Sequence, residues 1–238
     1  MKNKAHVAGV GMVPFQKPGK SESYDVMAAA ATRSALADAG LDYRKIQQAY
    51  VGYVYGDSTC GQRALYHVGM TGIPILNVNN NCSTGSSALF LARQAVESGA
   101  VDCALALGFE QMQPGAIGAM FHDRVSPFAA FDEETDILVG SSDIPLALRY
   151  FGGAGKAHMD EFGTPLETFA KIRAKASRHA AKNPVALFRQ EVTAEDVMAA
   201  QVVWPGVMTK LMACPPTCGA AAAIICSKEF ADKHGLDS

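Results

Sequence analysis

Short apolar runs and longer alanine-rich stretches alternate along the N-terminal part of the chain. Four of the runs are typical of buried strands: Val7–Val10, Ala49–Val54, Ile73–Val78 and Val101–Leu107. Between them, Tyr24–Ala39 and Ser83–Ser98 have helical composition, and each is followed by a glycine, the usual residue after a helix C-terminus. This alternation predicts an α/β fold with a mostly parallel βαβ sheet covered by helices.

One further apolar run, Ala220–Cys226, follows only after a long stretch of mixed character. We therefore predict that a large insertion separates two strands of one sheet, and insertions of this size usually carry function. The predicted parts are a βαβ core over 1–112, the insertion over 113–212, and a last strand with a short helix over 213–238.

Two helices and two loops are predicted within the insertion. The helices are Leu166–Lys182 and Ala194–Val203. The loops are Pro114–Gly118 and the glycine-rich segment Phe151–Lys156.

Composition and charge exclude several classes of protein. The chain has 238 residues with 21 basic and 23 acidic side chains, a net charge of −2, so a dedicated nucleic-acid-binding protein is disfavoured. Its 6 cysteines are too sparse for a secreted disulfide scaffold, which favours a reducing, cytoplasmic compartment. No apolar run approaches the roughly 20 residues that cross a bilayer, and no signal peptide is recognised. We expect neither a membrane span nor secretion.

The strongest candidate for chemistry is Cys82, which lies between a predicted strand and a predicted helix. The strand runs into Asn79–Asn81, and the helix opens at Cys82. At a helix N-terminus, unpaired backbone N–H groups and the positive end of the helix dipole favour thiolate over thiol, and the same amides can stabilise an oxyanion. Ser83–Ser87 are small, so a thioester could approach closely. Cys82 is predicted to be a nucleophile; the alternative is a small, buried core residue.

The other cysteines give weaker signals. Cys103 and Cys226 lie within apolar runs and are predicted core residues, whereas Cys60 and Cys214 are weak candidates for lining a site. Cys214 and Cys218 have no neighbouring Cys or His pair, so we assign no metal site.

Two residues, Glu110 and Met112, follow a predicted strand end at Gly108. Side chains at the carboxyl ends of parallel strands often line active sites. Packing of the loop is an equal alternative for both residues.

A row of positive charge marks one predicted helix in the insertion. Between Lys171 and Arg189 there is no acidic residue, and four cations fall on one helical face: Lys171, Lys175, Arg178 and Lys182. Such a row is often a solvated surface. Four like charges on one face repel one another, however, and suit an anionic partner such as a phosphate group.

Several uncommon strings, taken together and in order, resemble the thiolase superfamily and, within it, thiolase domains of the sterol carrier protein X type. They are VGYVYGDSTCGQRALYH, GIPILNVNNNCSTGSSALFLARQ, DCALALGFEQM and FGGAGKAHM, and the similarity extends from VAGVGM to GAAAAIICS. The resemblance implies that Cys82 accepts the acyl group, that the insertion is a loop domain holding coenzyme A, and that subunits form a homodimer. It implies no permanently bound cofactor, with coenzyme A as a substrate.

The resemblance also implies a reaction, the thiolytic cleavage of a 3-oxoacyl-CoA in lipid β-oxidation. Branched and steroid side-chain substrates are typical of this group, and a 2-methyl-branched substrate releases propanoyl-CoA. In a eukaryote the expected compartment would be the peroxisome.

Two departures from the family pattern affect this interpretation. Family members contain two similar βαβ halves, and the second supplies a Gly-His-Pro histidine, a His-Asp-Cys-Phe segment and a second reactive cysteine. None of these strings occurs in this sequence, so we expect the first half with its loop domain, able to pair with a C-terminal half. In addition, Pro216-Thr217-Cys218-Gly219 lacks the family's usual Ser-Asp before glycine.

Three functions remain open on the sequence. The first is an acyltransferase half-chain, and the second is a non-catalytic subunit that binds acyl-CoA or a partner half-chain. The third is a cysteine hydrolase in which His158, His179 or His234 would be the base for Cys82. The third fits poorly, because the first small residue of a Gly-x-nucleophile-x-Gly elbow is absent.

Overall fold

The structure is a computed structural model that describes residues 4–114 and 121–237. The strands are β1 (Ala5–Met12), β2 (Gln48–Gly52), β3 (Ile75–Val78), β4 (Cys103–Glu110), β5 (Val202–Trp204), β6 (Met208–Thr209) and β7 (Gly219–Ser227). The helices are α1 (Tyr24–Ala39), α2 (Cys60–Tyr66), α3 (Thr84–Ser98), α4 (Ala129–Val139), α5 (Leu146–Phe162), α6 (Leu166–Ala181), α7 (Ala194–Ala199) and α8 (Lys228–His234).

Within the described residues, five strands form one sheet in the order β1-β7-β4-β2-β3. β2 pairs in parallel with β3 and β4, whereas β7 pairs antiparallel with β1 and β4. In this sheet, as far as it is described, β7 therefore runs against the other four strands. The predicted α/β fold with a mostly parallel sheet is confirmed.

The chain divides into two compact units. The first comprises Met1–Pro114 with Thr217–Ser238 and contains the five-stranded sheet; the second is Gly115–Pro216, where the sequence analysis placed an insertion over 113–212. β5 and β6 pair with each other in the second unit. In the part of the chain that the structure describes, no helix is both long and apolar enough to cross a membrane.

Helices cover both faces of the sheet in the first unit. On one face, α1 and α2 bury small and aliphatic side chains against the strands, among them Ala31, Ala35, Leu65, Leu105 and Ile224. On the other face, α3 packs its alanines on the sheet: the buried contacts include Ala88, Ala92, Tyr50, Ala106 and Ile225. The alternation of Ala-rich helices with β-branched strands thus produces a close-packed core.

A buried carboxylate ties α1 to α2. Asp25 is 7% exposed; it accepts hydrogen bonds from Ser23 Oγ at 2.6 Å and Arg63 Nε at 3.0 Å, and lies 3.0 Å from His67 Nε2. The hydrogen bond from Ser23, followed by those from His67 and Arg63, lowers the pKa of Asp25 from 3.8 to about 2. The Asp25 carboxylate is therefore ionised at neutral pH and forms an ion pair with Arg63.

The predicted loop Phe151–Lys156 is wrong, because these residues belong to α5. Gly152 and Gly153 are buried there: a Cβ on Gly152 would lie 2.8 Å from Trp204 Cε3, and one on Gly153 would lie 3.1 Å from Val139 Cγ1. The glycines allow α5 to pack closely against α4 and β5. Glycine-rich composition alone does not distinguish such packing from a loop.

Other predicted elements differ at their ends. α7 stops at Ala199, because the β-branched and aromatic residues of Val202–Trp204 form β5 instead. β4 runs to Glu110, so that residue ends the strand. α2, α4 and α5 were not predicted. Of the predicted loop Pro114–Gly118, residues 115–118 lie outside the described residues.

Two glycines of α5 should respond differently to alanine. Gly152→Ala should destabilise the second unit by about 1–3 kcal/mol, because the new methyl group overlaps the indole ring of Trp204. Gly155→Ala is the matched control, since its Cβ would lie 3.8 Å from Phe169 Cζ and alanine favours helix by about 1 kcal/mol. Thermal unfolding followed by fluorescence of Trp204, the chain's 1 tryptophan, measures both. Equal stability of the two variants would contradict the packing assigned to Gly152.

Candidate active site

Cys82 lies at the edge of the sheet where the parallel strands β2, β3 and β4 end. β3 ends at Val78 and α3 begins at Thr84, so Cys82 occupies the turn between them, directly before the N-cap residue Ser83. Its side chain is exposed. Exposure excludes the alternative of a buried core cysteine.

Hydrogen bonds fix the turn that carries Cys82. The Ser83 hydroxyl donates to the carbonyl of Asn80 at 2.9 Å, and the Asn81 N–H donates to the side-chain oxygen of Asn79 at 3.1 Å. Asn81 has a φ of 49°, a left-handed conformation that asparagine tolerates better than most residues with a Cβ. The asparagine run therefore serves to reverse the chain just before Cys82.

The N-terminus of α3 carries no side-chain cap among the described residues. The hydroxyl of Ser83 occupies the capping position but bonds backward to Asn80. The Thr84 N–H donates to the Asn81 carbonyl at 3.1 Å, so in the described first turn of α3 the N–H groups of Gly85 and Ser86 remain open to an outside acceptor. An exposed thiol beside open helix amides combines a nucleophile with donors for an oxyanion.

Gly52 allows the start of α3 to lie close against the sheet. Gly52 ends β2 and is the register partner of Gly108 in β4. A Cβ on Gly52 would lie 2.7 Å from Thr84 Cγ2 and 2.8 Å from the Thr84 carbonyl oxygen, and one on Gly108 would lie 3.5 Å from Gly85 Cα. The sequence analysis does not predict this role; the signal in the sequence is a glycine near the end of the predicted strand Ala49–Val54.

Glu110 and Met112 both take part in packing the segments next to them, which was one of the two alternatives predicted for these residues. The Glu110 carboxylate accepts the N–H groups of Val54 at 2.9 Å and Tyr55 at 3.3 Å, which fixes the segment after β2. Met112 packs against the core, and its carbonyl accepts a hydrogen bond from Cys218 Sγ at 3.5 Å. Cys218 is fully buried, and it lies in the segment Pro216-Thr217-Cys218-Gly219, which lacks the usual Ser-Asp before glycine.

The remaining cysteines differ in how far they are exposed to solvent. Cys103 and Cys226 are buried register partners on β4 and β7, as predicted for core residues, and burial raises the pKa of Cys103 to about 12. Cys60 is buried at the start of α2, while Cys214 is exposed. Cys214 is therefore the thiol with which Cys82 must be compared.

The predicted basic face lies on α6 in the second unit. Lys171, Lys175 and Arg178 are exposed, and Lys182 is the exposed residue directly after the helix. This row flanks the stripe that α6 buries, which consists of Ala170, Ala174 and Ser177. Lys171 pairs with Glu167 at 2.9 Å, an exposed contact that leaves the row's net charge positive.

The histidines considered as bases for Cys82 do not form a hydrolase dyad with it in the first unit. α8 follows β7, which runs against β4, so His234 lies at the sheet edge opposite Cys82. His158 and His179 belong to the second unit, on α5 and α6. Among residues 4–114 and 121–237, no group of three His, Cys, Asp or Glu side chains is placed to hold a metal ion.

A family model described as "Thiolase, N-terminal domain" matches residues 6–229. The chain belongs to the thiolase family. It is 49% identical to sterol carrier protein 2 from Oryctolagus cuniculus, in an alignment that covers 99% of this chain and 43% of that relative. The chain thus spans less than half the length of this relative.

Two solved structures share the fold. One is described as "Ltp2-ChsH2(DUF35) aldolase", with a TM-score of 0.75, 21% identity, and coverage of 96% of this chain and 57% of that chain. The other is the Acat5 thiolase from Ascaris suum in complex with coenzyme A, with a TM-score of 0.67, 17% identity, and coverage of 98% and 68%. At these identities the likeness concerns the fold alone.

Under native conditions, iodoacetamide should label Cys82 first and Cys214 second. Both thiols are exposed, but only Cys82 of the two stands directly before the N-terminus of a long helix, whose open N–H groups interact favourably with the negative charge on the attacking sulfur. Peptide mapping after short labelling times measures the order, with Cys82→Ala and Cys214→Ala as controls. Faster labelling of Cys103 or Cys226 would show that the helix placement is wrong.

Proposed function

We propose that this chain supplies the acyl-accepting half of an acyl-CoA acyltransferase of the 3-oxoacyl-CoA thiolase type, with Cys82 as the nucleophile. The observation that carries the proposal is the exposed Cys82 thiol directly before the uncapped N-terminus of α3, in a chain of the thiolase family. The substrate class is a 3-oxoacyl-CoA from a branched fatty acid or a steroid side chain.

The proposed chemistry has two steps. The Cys82 thiolate attacks the 3-keto carbon of the substrate, the C2–C3 bond breaks, and the carbanion left at C2 takes up a proton to become acetyl-CoA or propanoyl-CoA. The thiol of a free coenzyme A then gives up its proton, attacks the acyl-Cys82 thioester, and releases the shortened acyl-CoA and the thiolate. Open N–H groups of α3 would stabilise the oxyanion of the thioester step.

Both steps need an acid or base near the thiol. The sequence lacks the Gly-His-Pro and His-Asp-Cys-Phe strings of the family's second half, and His234 lies at the opposite sheet edge. We therefore propose that a C-terminal half completes the site. The alternative function, a non-catalytic subunit that binds acyl-CoA or a partner half-chain, rests on the same missing groups.

Two apolar surfaces of the first unit suit the proposed partners. Val7 and Val10 of β1 are 53% and 55% exposed, on the sheet face that α3 covers only in part, since Val7 pairs with the buried Ile225. This area suits a C-terminal half. At the other edge of the described sheet, β3 pairs on one side with β2 and leaves its other side open, and Phe90 of α3 is exposed; both features suit a second copy of the chain.

The chain alone should cleave 3-oxoacyl-CoA slowly or not at all, because the sequence lacks the histidine strings of the family's second half and His234 lies at the opposite sheet edge. Chromatographic detection of acetyl-CoA or propanoyl-CoA measures turnover, with Cys82→Ala as the background control. Rates on the order of 10 s⁻¹, ordinary for enzymes, would contradict the need for a second half.

Sedimentation of the same preparation should show a dimer, and a monomer would contradict pairing between copies.

We further propose that Lys171, Lys175, Arg178 and Lys182 bind the phosphate groups of coenzyme A. The support is that these four exposed cations form a row along α6 and the residue after it. Glu167 forms an ion pair with one of the four, Lys171. Exposed contacts of this kind are screened over about 8 Å at physiological ionic strength. Affinity for coenzyme A should therefore fall as salt is added.

Replacing Lys175 and Arg178 together by Ala should weaken coenzyme A binding by roughly two- to tenfold and flatten its salt dependence. The matched control is Arg44→Ala with Lys45→Ala, which removes the same charge from an exposed site in the first unit. Calorimetry on the three proteins at low and moderate salt measures the effect. If the Lys175 and Arg178 variant binds like the wild type at both salt levels, the row is a solvated helix surface.

A further inference from the structure

The turn that carries Cys82 contains a residue in a left-handed conformation, and the hydrogen bonds of its exposed residues compete with water. Asn81 holds a left-handed φ of 49°, and besides it only Thr59 does so among the non-glycine residues described. Residues in this conformation persist when the surrounding structure holds them. Asn79, Asn80 and Ser83, which bond within the turn, are all exposed to water.

Thr84 supplies a buried contact to both sides of the strained residue. Its hydroxyl accepts the N–H of Asn80 at 2.9 Å and donates to the carbonyl of Asn81 at 2.5 Å. The N–H of Thr84 reaches the same carbonyl at 3.1 Å. Since Thr84 is 5% exposed, water does not compete for these bonds as it does at the surface.

The sheet holds Thr84 in place from the other side. Gly52 at the end of β2 leaves room for the Thr84 methyl group and carbonyl, which would lie 2.7 and 2.8 Å from a Cβ at that position. The hydroxyl therefore stands at a position set by β2, and it links the sheet to the N–H of Asn80 and the carbonyl of Asn81.

We infer that Thr84 is a positioning residue for Cys82. Its hydroxyl fixes the peptide groups of Asn80 and Asn81, and this orientation keeps the Cys82 thiol beside the N-terminus of α3. The inference rests on the proposed function for its catalytic meaning, but the orientation itself affects the chemistry of the thiol in the absence of any substrate.

The test compares Thr84→Val, which removes the hydroxyl and keeps the shape, with Thr84→Ser, which keeps the hydroxyl. Thr32→Val is the matched control, because Thr32 is also buried and its hydroxyl donates to a helix carbonyl, that of Ala28 in α1. The rate of Cys82 alkylation by iodoacetamide is measured from about pH 6 to pH 10, a range that spans the ordinary titration of a thiol.

Thr84→Val should slow alkylation of Cys82 about tenfold across this pH range, since the turn that holds the thiol before α3 loses both bonds of the Thr84 hydroxyl. Thr84→Ser and Thr32→Val should retain the wild-type profile. If Thr84→Val does not fold, Thr84→Ala removes the same hydroxyl and leaves space in its place. A wild-type profile in the folded hydroxyl-free variant, or loss of reactivity in Thr84→Ser as well, would overturn the inference.

Alkylation separates this inference from the proposed function. A thiol that depends on the Thr84 hydroxyl but accepts no acyl group would uphold the positioning role and overturn the acyltransferase. If the Cys82 thiol accepts an acyl group equally well in Thr84→Val, the acyltransferase is upheld and the positioning role of Thr84 is overturned.

Discussion

The close approach of the first turn of α3 to the ends of β2 and β4 is the constraint on which the candidate site depends. It requires glycine at 52, since a Cβ there would collide with Thr84. With the helix seated there, residues 79–83 connect β3 to α3, and the chain turns through the left-handed Asn81. Cys82 is then presented in solvent beside open helix amides.

This arrangement explains why the chemistry is concentrated at one edge of the sheet. β2, β3 and β4 are parallel, so the segments that follow them meet at the same edge. Glu110 secures the segment after β2 through backbone N–H groups, which gives the edge a fixed wall. β7 runs the other way and places α8 at the far edge, so a proton shuttle for Cys82 must come from elsewhere.

Periodicity predicted the sheet, α1 and α3 because their cores are built from alternating β-branched strands and alanine-rich helices. It failed where glycine serves close packing: Gly152 and Gly153 look like loop residues until Trp204 and Val139 are seen against them. The position of Cys82 was predictable from its place between strand and helix. The role of Thr84 was not, because it depends on a contact with Gly52 from a distant part of the sequence.

Acceptance of an acyl group by Cys82 is the step on which the proposed function depends, and it can be tested on this chain as the reverse of the proposed second step. In that direction the Cys82 thiolate attacks an acyl-CoA, the acyl-Cys82 thioester forms as the thioester of the acyl-CoA breaks, and coenzyme A is released without a carbanion to protonate. The most direct measurement is intact mass spectrometry of the chain after incubation with a short acyl-CoA. The account predicts a mass increase of one acyl group that maps to Cys82, disappears when coenzyme A is added, and is absent in Cys82→Ser. An unmodified chain, or an acyl group found on Cys214 instead, would contradict it.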